Sequence, residues 1–498
     1  MIKNKGGDLK LKLRNGAATD SLVLTFVRVV TACISILIYK LLAVNFSLDE
    51  YGLYSQAILV STTVTSITIM GMTDAINFFY NKDKGGEVGK SYVETIFAVQ
   101  VIIGIIGAIV ILIFKNQIAV YFDEPKVAGL MIYVAFIPLL TNVTNMLQVL
   151  FISYRRAKII AVRNLLFSVF KVFAVFVASY LFKTIEVVLI NSLILDIIMV
   201  VYMIWYSRKH FFVIDIRKAR FFQTKEILAY SIPMAMYIIT NSLSRNLDKL
   251  VIGWFGTTKD IALYSIAAKE LPFDMLTSSF ITVLVPYITR YIAGKEYNKA
   301  ADTFSKYIQI SYTITWLIAG GAIVGARNLM VVLYDSKYLT ATPIFILYIV
   351  VDMFRFANTT IVFASLGRTK ELIIYSGSAV VLNLVFNILF FNIFGIVGPA
   401  ISTVLITCLL SVIMLFRSGQ LLRTKVYDLI NVKQMVIILV EIIICGIIAY
   451  QIQIRFIEGF SSFITFCLTF AIYGIPLLLL NFKRVLALLK GINSVKMQ

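Results

Sequence analysis

Histidine is nearly missing from this chain of 498 residues; His210 is the only one. That excludes a histidine-based metal site and a Ser-His-Asp arrangement. Charge is scarce too. Only 14% of the residues are Asp, Glu, Lys or Arg, against about 25% in an ordinary soluble protein. Hydrophobic residues make up 60%, and mean hydropathy is +0.89. A water-soluble globule of this size cannot hide so much apolar surface. The four cysteines, Cys33, Cys408, Cys445 and Cys467, lie inside apolar stretches. They read as buried thiols, and a secreted disulfide scaffold is excluded. Long polar connections are missing as well, so there is no room for a soluble catalytic domain. Period-two alternation is absent from the apolar runs, which excludes a transmembrane β-barrel.

What is present is a series of fourteen apolar segments. Each is long enough to cross about 30 Å of hydrocarbon at about 20 residues per helix. They lie at 20–44, 51–80, 92–114, 128–152, 164–182, 186–206, 227–255, 262–289, 304–326, 341–365, 372–391, 396–416, 434–453 and 461–481. The expected fold is an all-α polytopic membrane protein. No secretory signal peptide is expected, because the first apolar run is too long for one. Seven of the eight prolines fall in or at the ends of these segments. Each either bends its helix for motion or is simply tolerated, as proline often is in the membrane.

The net charge of +20 follows from topology. The odd-to-even connections hold only 7 of the 46 Lys and Arg residues. Most of the others crowd the N-terminus, the even-to-odd connections and the C-terminal tail. The excess of positive charge on cytoplasmic loops puts both termini in the cytoplasm. The basic side then meets anionic membrane lipids, and no nucleic-acid partner is expected.

The chain repeats itself. Phe151-Ile-Ser153-Tyr-Arg-Arg156-Ala-Lys158 recurs as Phe363-Ala-Ser365-Leu-Gly-Arg368-Thr-Lys370. Gly107-Ala-Ile-Val110 recurs as Gly321-Ala-Ile-Val324, and Leu53-Tyr-Ser55 as Leu263-Tyr-Ser265. The offsets are 212, 214 and 210. The expected organisation is a cytoplasmic N-terminus (1–19), an N-lobe (20–206), a cytoplasmic inter-lobe loop (207–226), a C-lobe (227–416), two further spans (434–481) and a cytoplasmic tail (482–498). Six spans per lobe give parallel repeats, a transporter architecture with its substrate site between the halves.

Catalytic motifs are lacking. Gly85-Gly-Glu-Val-Gly89-Lys90-Ser91 is one residue short of a P-loop and follows a membrane span instead of a strand. Neither an enzyme nor a cofactor is expected. Embedded charges carry the functional signal, because each is costly in hydrocarbon. The first span bears a polar stripe of Ser21, Thr25, Arg28, Ser35 and Tyr39. The seventh bears Tyr237, Asn241, Arg245 (or Ser244), Asp248 and Lys249. Arg28, Arg245, Lys249, Asn241 and Tyr39 are the candidate substrate-binding residues, as a site for a polyanion. The competing structural reading is an i,i+3 ion pair, Arg245 with Asp248 or Asp352 with Arg355. Asp74 and Asp248 are the candidates for ion coupling. The Ser/Thr run of the second span and the pair Asn383 and Asn387 suit either sugar hydroxyls or interhelical hydrogen bonds.

Two stretches carry a family resemblance. Ser47-Leu-Asp-Glu-Tyr51-Gly52-Leu-Tyr-Ser55 resembles the G-x-x-x-Y-G-x-Y/F turn of polysaccharide-biosynthesis membrane proteins, with Ser47 where Gly is usual. Tyr230-Ser-Ile-Pro233 followed by Ser244-Arg-Asn-Leu-Asp248-Lys-Leu-Val-Ile-Gly253-Trp-Phe resembles the same family's Y-S-x-P…R-x-D-x-x-x-I/L-G-x-F segment. The resemblance spans nearly the whole chain. It implies an oligosaccharide flippase of the multidrug/oligosaccharidyl-lipid/polysaccharide exporter superfamily, with a MATE-like fold, in the bacterial cytoplasmic membrane. The implied substrate is an undecaprenyl-pyrophosphate-linked repeat unit. A polysaccharide polymerase and chain-length machinery are the implied partners. A MATE-type drug/cation antiporter and a membrane enzyme of glycan assembly remain as alternatives.

The charge asymmetry has a direct test. Cysteines introduced as Arg208→Cys and Arg423→Cys are expected to resist an impermeant maleimide added outside the cell. Glu124→Cys and Lys337→Cys are expected to react. The opposite labelling pattern inverts the topology.

Overall fold

Lipid offers no hydrogen bonds, so each spanning segment must close its own N–H and C=O groups as a helix. The computed structural model describes residues 26–27, 29–82, 86–154, 157–210, 213–269, 271, 284–285, 287–357, 359–457 and 459–497. Among them the regular elements are helical and no strand occurs. Eleven helical stretches are long and apolar enough to cross a membrane. One of these, Lys370–Leu421, holds two of the expected spans, Thr369–Phe394 and Gly398–Leu421, turned at Gly395 with φ +60. A shorter apolar helix, Val29–Asn45, covers most of the described part of the first span. Half of the eighth expected span, with Asp274, Pro272 and Pro286, lies outside the described residues. Large apolar side chains such as Phe173, Ile393 and Leu478 face outward, as a surface solvated by hydrocarbon allows.

The residues form two units. The first comprises Met1–Asn246 and Gly253–Ala262, the second Leu247–Ile252 and Leu263–Gln498. The first has a core around Met72, Phe79, Ile96, Met146 and Met203. The second is built around Phe304, Tyr312, Trp316, Ile438 and Tyr473. Within the second unit the last two spans, Val432–Ile452 and Ser462–Met497, pack on Tyr297–Val324. Tyr473 donates to the Leu317 carbonyl at 3.0 Å across that seam.

Two turns of the first unit show the repeat at atomic scale. Ser47 caps Leu48–Thr68. Glu50 N–H donates to Ser47 Oγ at 3.2 Å, and Ser47 N–H donates to the Glu50 carboxylate at 2.8 Å. This reciprocal exchange satisfies two otherwise orphaned amides. Thr257 and Asp260, each 210 residues further on, make the same exchange at 3.2 and 2.9 Å and open Thr258–Ala267. Serine at 47 therefore does cap chemistry that a glycine lacks. The two turns also touch. Gln56 donates to Thr258 Oγ1 at 3.3 Å, and a Cβ on Gly52 would run into the Thr258 carbonyl oxygen.

The second expected span, 51–80, is not one continuous helix. Leu48–Thr68 ends, Met70 and Gly71 adopt φ of 43 and 69, and Met72–Lys82 begins. Glycine fits at 71 because it tolerates that φ and because a Cβ would come within 2.5 Å of the Ser231 carbonyl oxygen. The break leaves the Thr68 carbonyl without its partner four residues on. Gln100 Nε2 donates to it instead at 3.1 Å, and Asn142 Nδ2 donates to Thr68 Oγ1 at 2.9 Å. Both amides are fully buried. The Ser/Thr run of this span points inward on its own helix. Thr63, Thr65, Ser66 and Thr68 donate to the carbonyls of Leu59, Ser61, Thr62 and Val64, the local use that hydroxyls find in a helix.

Gly52→Ala is expected to lower the unfolding temperature in detergent, at a cost of about 1–3 kcal/mol for forcing atoms into a filled space. Gly129→Ala is the control, since nothing lies within 4 Å of its added Cβ. Equal unfolding temperatures for the two variants would rule out the tight contact between the turns.

Candidate substrate and coupling site

A charge placed at mid-membrane costs at least about 2.5–3.5 kcal/mol on insertion scales, so each one needs a partner or a role. Asp248, in Thr224–Phe255, is 1% exposed. Four neutral donors hold its carboxylate. Oδ2 accepts from Tyr264 Oη at 2.7 Å, Tyr348 Oη at 2.6 Å and Thr403 Oγ1 at 2.8 Å, and Oδ1 accepts from Asn387 Nδ2 at 2.8 Å. Asn387 also donates to Asn383 Oδ1 at 3.1 Å, and Asn383 donates to Thr403 Oγ1 at 3.2 Å. The rings of Tyr264 and Tyr348 meet edge to face. Hydrogen bonds to a carboxylate are roughly twice as strong as neutral ones, so this shell can keep a negative charge in an apolar setting. Asn383 and Asn387 thus serve interhelical hydrogen bonding around the acid.

Two other embedded acids have cationic partners. Glu441 accepts from Arg484 at 2.9 Å and from Asn481 at 2.8 Å. Arg355 lies 3.9 Å from Asp352, the i,i+3 pair that the spacing suggested. Asp74 is exposed in the first turn of Met72–Lys82, where the positive end of the helix favours a carboxylate.

The candidate substrate-binding residues are placed as follows. Arg28 lies outside the described residues, as do Ser21 and Thr25. Tyr39, Asn241 and Lys249 are half-buried, and Arg245 is exposed. Tyr39, Asn241 and Arg245 belong to the first unit and Lys249 to the second. In the P-loop-like stretch, Lys90 pairs with Glu87 at 2.8 Å and buried Ser91 donates to Gln223 at 3.4 Å. Those side chains are committed to neighbours instead of a phosphate. No group of three His, Cys, Asp or Glu residues that could hold a metal occurs among the described residues.

Sequence reading picked out Asp248 and the asparagines but missed Tyr264, Tyr348 and Thr403. Tyr264 sits in the repeated Leu263-Tyr-Ser265 turn, which was the available signal.

The profile of a family described as polysaccharide biosynthesis protein matches residues 41–343. The chain belongs to that family. The matched stretch contains both motif segments and Asp248. This polysaccharide biosynthesis protein is similar to the probable low-salt glycan biosynthesis flippase Agl15 of Haloferax volcanii, at 24% identity over 199 residues. That match covers 38% of this chain and 41% of the relative's length. Its fold is similar to that of the lipid II flippase MurJ in an inward closed conformation. The TM-score is 0.73 at 16% identity, covering 93% of this chain and 100% of that one. It is also similar to a multidrug resistance MATE family transporter of the MOP superfamily in an inward-facing conformation. There the TM-score is 0.63 at 13% identity, over 80% and 99% of the two chains. The fold is that of MOP superfamily transporters, and the chain is a multi-pass membrane protein.

Asp248→Ala is expected to destabilise this protein more than any single change in the shell. It removes the acceptor shared by four buried donors, at about 1–3 kcal/mol for each one left unpaired. Tyr348→Phe removes one donor and is expected to cost about 1 kcal/mol. Thermal unfolding in detergent reads both. An unfolding temperature for Asp248→Ala equal to that of the wild type would show that the acid does not hold the cluster.

Proposed function

We propose that the chain is a flippase for lipid-linked oligosaccharide repeat units in the bacterial cytoplasmic membrane, with both termini in the cytoplasm. The family match over residues 41–343 carries the reading, and the resemblances to a glycan biosynthesis flippase and to the fold of a lipid II flippase support it. The carrier is undecaprenyl pyrophosphate, and the pathway is assembly of O-antigen, capsule or exopolysaccharide. A polymerase and chain-length machinery take the product. The protein acts as a transporter and not as an enzyme.

The physical problem is the head group. A sugar chain on a pyrophosphate cannot cross about 30 Å of hydrocarbon without replacement of its hydration. Arg28 and Arg245, helped by Lys249, take the pyrophosphate, because guanidinium matches phosphate oxygens two at a time. Asn241 and Tyr39 offer hydrogen bonds to the same head group. The tail stays in lipid while the protein alternates between inward and outward openings. Asp248 is the coupling acid: a proton or a sodium ion arriving at its carboxylate competes with the four neutral donors and loosens the helices that carry them. Asp74 is the second coupling candidate.

A cation antiporter needs an accessible acid for its drug. The closed shell around Asp248 favours a coupling role over drug binding, and exposed Asp74 is the acid on which the antiporter reading rests.

Arg28→Ala and Arg245→Ala are each expected to reduce surface glycan at least tenfold at unchanged protein abundance, with the Lys substitutions intermediate. Wild-type glycan in the double Ala variant, at normal abundance, would remove both arginines from the substrate site. Resistance to cationic drugs on expression, with surface glycan unaffected by deletion, would transfer the reading to the antiporter.

A further inference from the structure

Arg163 is the buried charge for which neither fold nor transport accounts. It lies in Ala157–Val177 and is 7% exposed. Its Nη1 donates to Met203 Sδ at 3.0 Å, and thioether sulfur is a weak acceptor. Among the described residues Nε and Nη2 have no hydrogen-bond partner. A guanidinium cannot shed its charge in a protein, so this one calls for an anion.

The surroundings indicate which anion. Arg163 lines a cavity of about 530 Å3 between Ala157–Val177 and Ile185–His210. Otherwise the walls are apolar or aromatic, with Phe167, Phe170, Met199, Tyr202 and Tyr206 among them. Phe170 and Tyr202 are exposed on the outer surface of the helix pair, so the cavity opens where lipid lies. Arg163 is six residues into its helix, a depth of about 9 Å at 1.5 Å per residue. The same end of the partner helix carries Arg208, Lys209 and His210, and the charge asymmetry assigns that end to the cytoplasm. The site therefore combines one buried cation, a basic rim and an apolar trough open to the bilayer.

We propose that this cavity binds an anionic phospholipid of the cytoplasmic leaflet. Its phosphodiester pairs with the two unpartnered nitrogens of Arg163, and an acyl chain lies along Phe167 and Phe170. One guanidinium matches the single charge of a phosphodiester. The basic rim selects a net-negative head group over a zwitterionic one. The site is separate from the residues proposed for the transported substrate and does not depend on that function.

The test uses the full-length purified protein, with bound lipids counted by native mass spectrometry after exchange into phosphatidylglycerol, phosphatidylcholine or undecaprenyl pyrophosphate. Wild type is expected to retain phosphatidylglycerol over phosphatidylcholine. Arg163→Gln is expected to weaken phosphatidylglycerol retention about tenfold, and Arg163→Lys by less. Leu166→Trp, which fills the trough from its lipid-facing edge, is expected to lose the bound lipid with Arg163 intact, so a poorly folding Arg163→Gln leaves the question answerable. Retention at the wild-type level in either Arg163→Gln or Leu166→Trp overturns the proposal. So does equal retention of phosphatidylcholine. Preferential retention of undecaprenyl pyrophosphate, lost in Leu166→Trp, also overturns it and assigns the cavity to the transported lipid.

Discussion

One carboxylate ties five helices together. Asp248 belongs to Thr224–Phe255, and its donors come from Thr258–Ala267, Thr342–Phe354, Thr369–Phe394 and Gly398–Leu421. In water such bonds exchange freely with solvent. In hydrocarbon a donor that loses its acceptor finds nothing else, so each bond fixes where its helix sits. The rotation of Thr369–Phe394 follows from Asn387 reaching Oδ1, and that of Gly398–Leu421 from Thr403 reaching Oδ2. A single acceptor shared by four donors makes this junction the point on which the packing of all five helices depends.

The same rule governs the first unit without a charge. At the break between Thr68 and Met72 the backbone loses a hydrogen bond, and Gln100 and Asn142 supply donors from neighbouring helices. Irregular backbone at membrane depth survives only where protein replaces the missing donors. The two reciprocal caps, at Ser47 and Thr257, do the same work at helix starts.

Much of this was legible in the sequence, because lipid makes hydropathy a local signal. Fold class, the approximate spans and the family needed only windows of about 20 residues. The repeat was legible because Leu53-Tyr-Ser55 and Leu263-Tyr-Ser265 share a cap as well as letters. What escaped depends on residues distant in the chain. The shell of Asp248 comes from positions 16 to 155 residues away, whereas spacing pointed to Arg245, three residues back. The break at Met70–Gly71 was hidden inside an unbroken apolar run. Arg163 was counted as a connection before a span starting at 164, but the helix already begins at Ala157. Seven residues of error moved one cation from solvent into the protein.

The contact between Gly52 and Thr258 limits how this sequence can drift. Most tight pairs can be repaired by compensation, a larger residue on one side being matched by a smaller one on the other. Here the nearest obstacle to a side chain at 52 is the main-chain carbonyl of residue 258, which every amino acid carries. No second-site change at 258 makes room. The two matching turns therefore sit on unequal ground: Ala262, 210 residues after Gly52, already carries a Cβ, while a Cβ at position 52 meets main chain whatever residue stands at 258.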